Sequence, residues 1–200
     1  MKKFLSLVLA LVMTMSLVTV SAGAKDFSDD DSITYQEAVD VISEIGVVDG
    51  YTGGDFKPTD VLTRGAAAKI ICNLILGPTT ASALSASSAP FKDVPVSNTF
   101  AGYITYCAQE KIINGYPDGT FRPDKNVTRA ELMAMINRAT GRAPKSADAF
   151  LPGMKTWSDN TADKWYYLDV QEATNSHSYT VKDSEKWTAL NADPNWSLYE

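Results

Sequence analysis

The sequence predicts a mainly α-helical protein built from helix-loop-helix repeats. Two segments match at an offset of 65 residues: DGYTGGDFKPTDVLTRGA, which starts at Asp49, and NGYPDGTFRPDKNVTRAE, which starts at Asn114. A shorter pattern of an aromatic residue, a spacer and Asp occurs three times, beginning at Phe27, Phe91 and Trp157. A period of this length indicates an array of supersecondary units rather than an enzyme fold.

The first helix of each copy follows the aromatic-x-Asp start. Apolar residues at helical spacing predict its buried face: Ala38, Val41, Ile42 and Ile45 in copy one, Tyr103, Ile104, Cys107 and Ile112 in copy two, and a weaker stripe of Leu168, Val170 and Ala173 in copy three. Glycine adopts the left-handed conformation that a helix C-terminus favours, so we expect Gly46, Gly50 and Gly115 to end these helices.

The second helix begins at a Thr-Arg pair in copies one and two. In copy two, Thr128 and Glu131 have the spacing of a capping box, whereas copy one has Ala66 in place of the glutamate. The predicted buried residues are Leu132, Met135, Ile136 and Ala139 in copy two, and Ala67, Ile70, Ile71 and Leu74 in copy one. Gly141 and Gly77 are expected to end these helices.

The third copy departs from the pattern after its first helix. It has no Gly-Tyr turn and no Thr-Arg helix start, only a polar stretch that contains Trp187, Pro194 and Trp196. We expect an irregular tail held by its tryptophans. His177, the one histidine of the chain, is expected at the surface near a helix end.

The N-terminus has the pattern of a secretory signal peptide, with Lys2 and Lys3 before an apolar run and small residues up to Ala24. A retained anchor helix is the alternative. The predicted boundaries are signal peptide 1–24, repeat one 25–77, linker 78–90, repeat two 91–141, linker 142–156 and partial repeat three 157–200. The first linker, rich in Ser, Ala and Thr, is expected to be weakly ordered.

Charge and cysteine content exclude several classes of function. The net charge of −6 becomes −8 without the leader, and the absence of a basic stripe argues against nucleic acid binding. Cys72 and Cys107 lack metal-ligand spacing; burial as small apolar residues is favoured over a disulfide, which the sequence alone does not decide. The acidic run from Asp26 to Asp31 lacks the EF-hand spacing, and no catalytic motif is present, so we predict no metal, no cofactor and no enzymatic activity.

The repeated GYPDGTFRP turn followed by TRAE, behind a signal peptide, resembles the S-layer homology module of bacterial cell surfaces. The resemblance covers residues 27–77 and 91–141 strongly and the remainder in part. It implies a pseudo-threefold helical bundle with a degenerate third repeat and grooves between the copies. It also implies non-covalent anchoring to a peptidoglycan-linked secondary cell-wall polysaccharide, often one bearing a pyruvate ketal, by a secreted protein with no transmembrane anchor in its mature form.

The expected ligand-binding residues lie at the helix starts and the turns. The positive end of a helix and an adjacent guanidinium suit an acidic sugar. The candidates are Arg129, Arg64, Thr128, Thr63, Asp93, Asp29, Gly115, Gly50, Tyr116 and Trp157. The aspartates would accept hydrogen bonds from sugar hydroxyls, the aromatic rings would lie against sugars, and the glycines would admit the ligand close to the backbone.

Structural alternatives accompany these assignments. Arg129 could pair with Asp93 or another carboxylate and hold the copies together, and Asp29, Asp93 and Asp159 could be N-caps of the segments that follow them. A structural protein that assembles with other surface-layer proteins is the alternative to wall anchoring. The expected location in either case is the bacterial cell surface.

Overall fold

The computed structural model describes residues 25–181 and 185–193. The predicted signal peptide and the residues Pro194 and Trp196 lie outside this range. The described part is mainly helical, with α1 Gln36–Glu44, α2 Arg64–Leu76, α3 Pro78–Ser82, α4 Ala101–Gln109, α5 Arg129–Ala139, α6 Tyr167–Thr174, and the strands β1 His177–Val181 and β2 Glu185–Leu190. Within this part of the chain, no helix has the length and apolar character needed to cross a membrane.

The main core lies between the second helix of copy one and the first helix of copy two. Ile71 and Cys72 of α2 pack with Ile104 and Cys107 of α4, and all four are buried. The two sulfurs are 3.5 Å apart and both thiols are free, which confirms the predicted burial. Phe121 joins the same cluster and Phe27 a smaller one.

The structure corrects several predicted helix faces. Helix α1 buries Val39 and Ser43, whereas Val41 and Ile45 are more than half exposed, so the predicted face was wrong. Leu74 and Ile136, near the ends of α2 and α5, are also exposed.

A residue in the left-handed conformation follows both α1 and α4, but only the one after α1 is a glycine. Gly46 has φ +72° after α1, as expected, but Gly115 is not in the left-handed region. Lys111, which occupies the equivalent place after α4, takes φ +59° instead. The predicted linker 78–90 begins with the short helix α3, and Ala81 in that helix is buried.

Where an irregular tail was predicted, the described residues after α6 form a β-hairpin. Strands β1 and β2 are antiparallel, with His177 opposite Leu190 and Val181 opposite Glu185, and the register shifts between Ser178 and Tyr179. The sequences HSYTV and EKWTAL contain the β-branched and aromatic residues that strands favour. Trp187 is buried, as expected of a tryptophan that holds this segment.

Candidate functional site

The two equivalent arginines have different environments. Arg64 is buried: its Nε donates to the carbonyl of Phe121 at 2.9 Å, its Nη1 to Glu131 Oε1 at 2.9 Å and its Nη2 to the carbonyl of Asn114 at 3.3 Å. These contacts all reach from copy one into copy two. Arg129 is exposed and forms no ion pair with any described residue. The inter-repeat role considered for Arg129 is therefore performed by Arg64.

Glu131 connects the capping box of α5 to this ion pair. Its Oε2 accepts from the Thr128 amide at 2.9 Å, and its Oε1 accepts from Arg64 and from the Tyr116 hydroxyl, both at 2.9 Å. Burial acts to raise the pKa of Glu131, but the hydrogen bonds from Thr128 and Tyr116 and the cations Arg64 and Lys125 outweigh it and lower the pKa.

Both threonine caps form as predicted. Thr128 Oγ1 accepts from the amide of Glu131 at 3.1 Å, which completes the capping box, and Thr63 Oγ1 accepts from the amide of Ala66 at 3.2 Å. A β-bridge joins Thr63 to Asn126, so this cap lies against copy two.

The backbone amides at the two helix starts also differ. In α2, the amide of Arg64 donates to the carbonyl of Lys125 at 2.9 Å, and that of Gly65 donates to the carbonyl of Pro123 at 2.8 Å. Both acceptors belong to the loop of copy two. In α5, the amides of Arg129 and Ala130 have no hydrogen-bond acceptor among the described residues. The third copy lacks the corresponding loop, so the start of α5 is left uncovered.

A groove of about 480 Å³ opens at this uncovered helix start. We call it the Arg129 groove; residues that line it include Thr128, Arg129, Ala130, Trp157, Asp159 and Tyr166. Trp157 is 44% exposed, and its indole Nε1 donates to Thr174 Oγ1 at 2.9 Å, which fixes the ring. The structure therefore brings together three of the predicted residues, Arg129, Thr128 and Trp157.

A second groove, of about 560 Å³, is lined by Arg64, Gly115, Tyr116 and Glu131 together with Trp165. We call it the Tyr116 groove. The Tyr116 ring lies 4.2 Å from the Arg122 guanidinium and 4.9 Å from that of Arg64, measured to the ring centroid. Tyr116 thus contacts two guanidinium groups of the protein, and Trp165 is the more exposed aromatic surface of this groove.

Asp93 and Asp29 bind backbone rather than capping the segments that follow them. Asp93 accepts from the amides of Phe121 and Arg122, both at 2.7 Å, and Asp29 accepts in the same way from Phe56 and Lys57. Arg122 and Lys57 each have φ +59°. This conformation costs energy for a residue with a Cβ, and the two charged hydrogen bonds offset that cost. The N-cap interpretation is wrong for both residues.

The predicted glycines are packed against phenylalanine rings. A Cβ on Gly50 would lie 2.5 Å from an atom of the Phe27 ring, and one on Gly115 would lie 2.4 Å from the Phe91 ring. The structure therefore explains these glycines by close packing within each repeat. Their proposed closeness to a ligand is not needed to account for them.

Sequence reasoning missed part of the site and one buried cluster. Asp159 was left out of the candidate ligand-binding residues, yet it lines the Arg129 groove together with Trp157. His177 was expected at the surface, and its side chain is fully buried beside Glu172 and Glu185. The sign of a buried polar cluster in the sequence was the polar composition of α6, because this helix buries Asp169, Gln171 and Glu172.

A model of the S-layer homology domain matches residues 26–68 and 90–133. The chain carries two S-layer homology repeats. Both matches include the aromatic-x-Asp start and the Thr-Arg helix start, whereas the third copy lies outside them. The pairs of equivalent contacts described above, those of Asp29 with Asp93 and of Thr63 with Thr128, are thus features shared by two S-layer homology repeats.

Curated relatives carry related names. The chain is 49% identical over 82 residues to a cellulosome-anchoring protein of Acetivibrio thermocellus, which covers 41% of this chain and 18% of that protein. It is 27% identical over 178 residues to a surface layer protein of Brevibacillus choshinensis, covering 88% and 15%. A middle cell wall protein of Brevibacillus brevis is 28% identical over 148 residues, covering 72% and 14%. The chain thus spans less than a fifth of the length of these relatives.

Proposed function

We propose that this chain anchors non-covalently to the bacterial cell wall by binding an anionic secondary cell-wall polysaccharide, with a pyruvylated sugar as the recognised group. The S-layer homology repeats and the surface-layer relatives indicate a cell-surface protein. The proposed role is binding, without catalysis. In the same proposal, the third copy completes a pseudo-threefold bundle with the two matched repeats.

The observation that carries the proposal is the uncovered start of α5. Two backbone amides there lack acceptors among the described residues, and the exposed Arg129 lies beside them. Helix N-termini attract anions because their free amides carry partial positive charge. Arg129 adds a planar pair of donors that matches a carboxylate. A ketal carboxylate in the Arg129 groove would meet both.

The remaining residues of the Arg129 groove suit a sugar ring. Trp157 offers a partly exposed face that is fixed by its hydrogen bond to Thr174. Asp159 lines the same groove and can accept hydrogen bonds from hydroxyl groups. Apolar stacking and polar edge contacts together are the usual composition of a small-ligand site.

Arg64 and the Tyr116 groove have a different part in the proposal. Arg64 is committed to Glu131 and to two carbonyls, so we propose that it positions the wall of the Tyr116 groove instead of gripping the anion. Any second binding site would lie in this groove, with Tyr116 and Trp165 as its aromatic surfaces. Asp29, Asp93, Gly50 and Gly115 would support the grooves through the loops that they hold.

The test is co-sedimentation of the purified protein with cell-wall sacculi before and after chemical removal of the secondary polymer. Wild-type protein should sediment only with intact sacculi. Arg129→Gln should weaken binding by about 10- to 100-fold, the loss expected for a charged hydrogen-bond pair. Lys69→Gln changes the net charge equally on the exposed side of α2 and is the matched control.

Two outcomes contradict the proposal. Equal retention of Arg129→Gln and wild type would exclude the guanidinium as a ligand contact. Equal sedimentation with stripped sacculi would show that the secondary polymer is not the receptor, and concentration-dependent self-assembly in the same samples would then favour a structural surface-layer role.

A further inference from the structure

The third copy contains a buried cluster of charged side chains where the hairpin meets α6. Glu172 lies on α6, His177 on β1 and Glu185 on β2, and their side chains are 1%, 0% and 1% exposed. His177 Nε2 is 3.1 Å from Glu172 Oε1 and 3.2 Å from Glu185 Oε1. One ligand atom from each residue lies within 4.8 Å of the other two.

Neighbouring groups fix the orientation of these side chains. His177 Nδ1 is 2.7 Å from the carbonyl of Asn175, so Nδ1 donates its proton there and Nε2 is the ring nitrogen that faces the carboxylates. The Trp187 indole stacks on the imidazole with ring centroids 4.1 Å apart, and its Nε1 donates to Glu172 Oε2 at 2.7 Å. Such outer contacts are typical of histidine and carboxylate ligands in metal sites.

The carboxylates of the cluster outnumber the guanidinium beside them. Two carboxylates face a single guanidinium, that of Arg142, whose Nη2 lies 2.7 Å from both Glu172 Oε1 and His177 Nε2 and 3.7 Å from Glu185 Oε1. Glu185 Oε2 is buried without a hydrogen-bond partner among the described residues. A buried carboxylate oxygen without a partner is costly, and a divalent cation would compensate it.

We propose that Glu172, His177 and Glu185 bind a divalent transition-metal cation of the Zn²⁺ type. One imidazole nitrogen and two carboxylates form a donor set that Zn²⁺ accepts, with bonds of about 2.0–2.2 Å. Tetrahedral ligands at that distance are separated by roughly 3.3 Å, close to the two separations from His177 Nε2. Arg142, with a side chain 35% exposed, would turn outwards into solvent and leave a further coordination position to water.

The metal would connect both strands of the hairpin to α6. In copies one and two, the equivalent stabilisation comes from a Phe-basic-Pro loop clamped by aspartate, a loop that the third copy lacks. A metal bridge would therefore order the degenerate copy that forms one side of the Arg129 groove. This inference concerns residues outside that groove and does not depend on the polysaccharide proposal.

The test is titration of metal-free full chain with Zn²⁺ by calorimetry, with Co²⁺ absorption as the spectroscopic probe. We expect one equivalent to bind with a rise in Tm that a chelator reverses, and a Co²⁺ spectrum of nitrogen and oxygen ligands without thiolate charge transfer. His177→Gln and Glu185→Gln should each weaken binding by at least about 100-fold, more than the loss of an outer contact. Arg142→Gln, which removes the competing cation, should bind at least as tightly as wild type.

Asp163→Asn, which removes an exposed carboxylate of the same copy, is the control and should leave the affinity unchanged. Absence of saturable binding in both wild type and Arg142→Gln would overturn the proposal. So would unchanged affinity in His177→Gln, because the metal would then occupy another site, such as the two thiols. If circular dichroism shows that His177→Gln is unfolded, Glu185→Gln and Arg142→Gln decide the question.

Discussion

Replacing Arg64 by methionine should destabilise the protein far more than the same replacement at the equivalent Arg129. Methionine keeps much of the apolar stem, so the change mainly removes the guanidinium. Without it, Glu131 remains largely buried and keeps only the more distant cation Lys125 among the described residues, and two carbonyls lose their donors. Breaking a buried ion pair by removing one partner typically costs about 3–5 kcal/mol.

The nearby lysine sets where in this range the loss should fall. Lys125 Nζ is 3.9 Å from Glu131 Oε1, so it partly neutralises the Glu131 carboxylate once Arg64 is replaced. This favours a loss near about 3 kcal/mol. Arg129→Met removes an exposed side chain with no ion pair among the described residues and should change stability by less than about 0.5 kcal/mol.

The assay is urea unfolding at pH 7, followed by far-ultraviolet circular dichroism. The double variant Arg64→Met with Glu131→Gln tests the origin of the loss. Removing both charges should cost about 2 kcal/mol less than the sum of the single changes, as expected for residues in direct contact. A loss below about 1 kcal/mol for Arg64→Met, or simple additivity with Glu131→Gln, would refute the assignment of Arg64 as the link between the copies.

Three further measurements follow from the structure. Asp93→Ala should lower the free energy of unfolding in urea by about 2–3 kcal/mol, because two amides lose a charged acceptor. Asp159→Ala, in the copy that lacks this loop, should leave it nearly unchanged. Equal losses in the two variants would contradict the role of Asp93 in holding its loop. Both thiols are buried, and the hydrogen bond with Cys72 together with burial raises the pKa of Cys107. We therefore expect them to react with a disulfide reagent at pH 8 only after unfolding. Rapid labelling of the native protein would contradict their burial. The folded pKa of Glu131 lies below its ordinary value of 4.5, so the carboxylate stabilises the protein at neutral pH, and this stabilisation is lost as the pH falls below about 4.5. The urea midpoint of a Glu131→Gln variant should therefore decline less steeply in acid than that of wild type. Identical declines would contradict this role.

The sequence was sufficient to predict those elements whose signals are local. The Thr128 and Glu131 spacing predicted a capping box, and the structure has it. The burial of Cys72 and Cys107 was also predicted correctly. In each case the partner residues lie close in the chain, or the side chain is apolar enough to be buried whatever its partner.

The remainder depended on contacts between distant residues. Nothing near Arg64 or Arg129 in the chain shows that one start is covered by the loop of the next copy and the other is not. The covering loop lies about sixty residues downstream of Arg64, and its absence after Arg129 follows from the divergence of the third copy. The two arginines therefore have the same local sequence pattern and different environments.

The hairpin and its charged cluster were missed for a related reason. His177 follows α6 directly, a position where a histidine is ordinarily solvated, and its burial comes from β2 folding back over it. The strand signals in the segments around Tyr179 and Trp187 were present but were outweighed by the polar composition of the tail.

The two partners of the Arg64–Glu131 ion pair belong to different copies of the repeat. Recombination that exchanged the second copy for a homologue would keep this ion pair only if the incoming copy carried a carboxylate three residues after its threonine cap. The sequences of the two copies therefore constrain each other. A genetic deletion of copy one would leave Glu131 of copy two without its arginine partner.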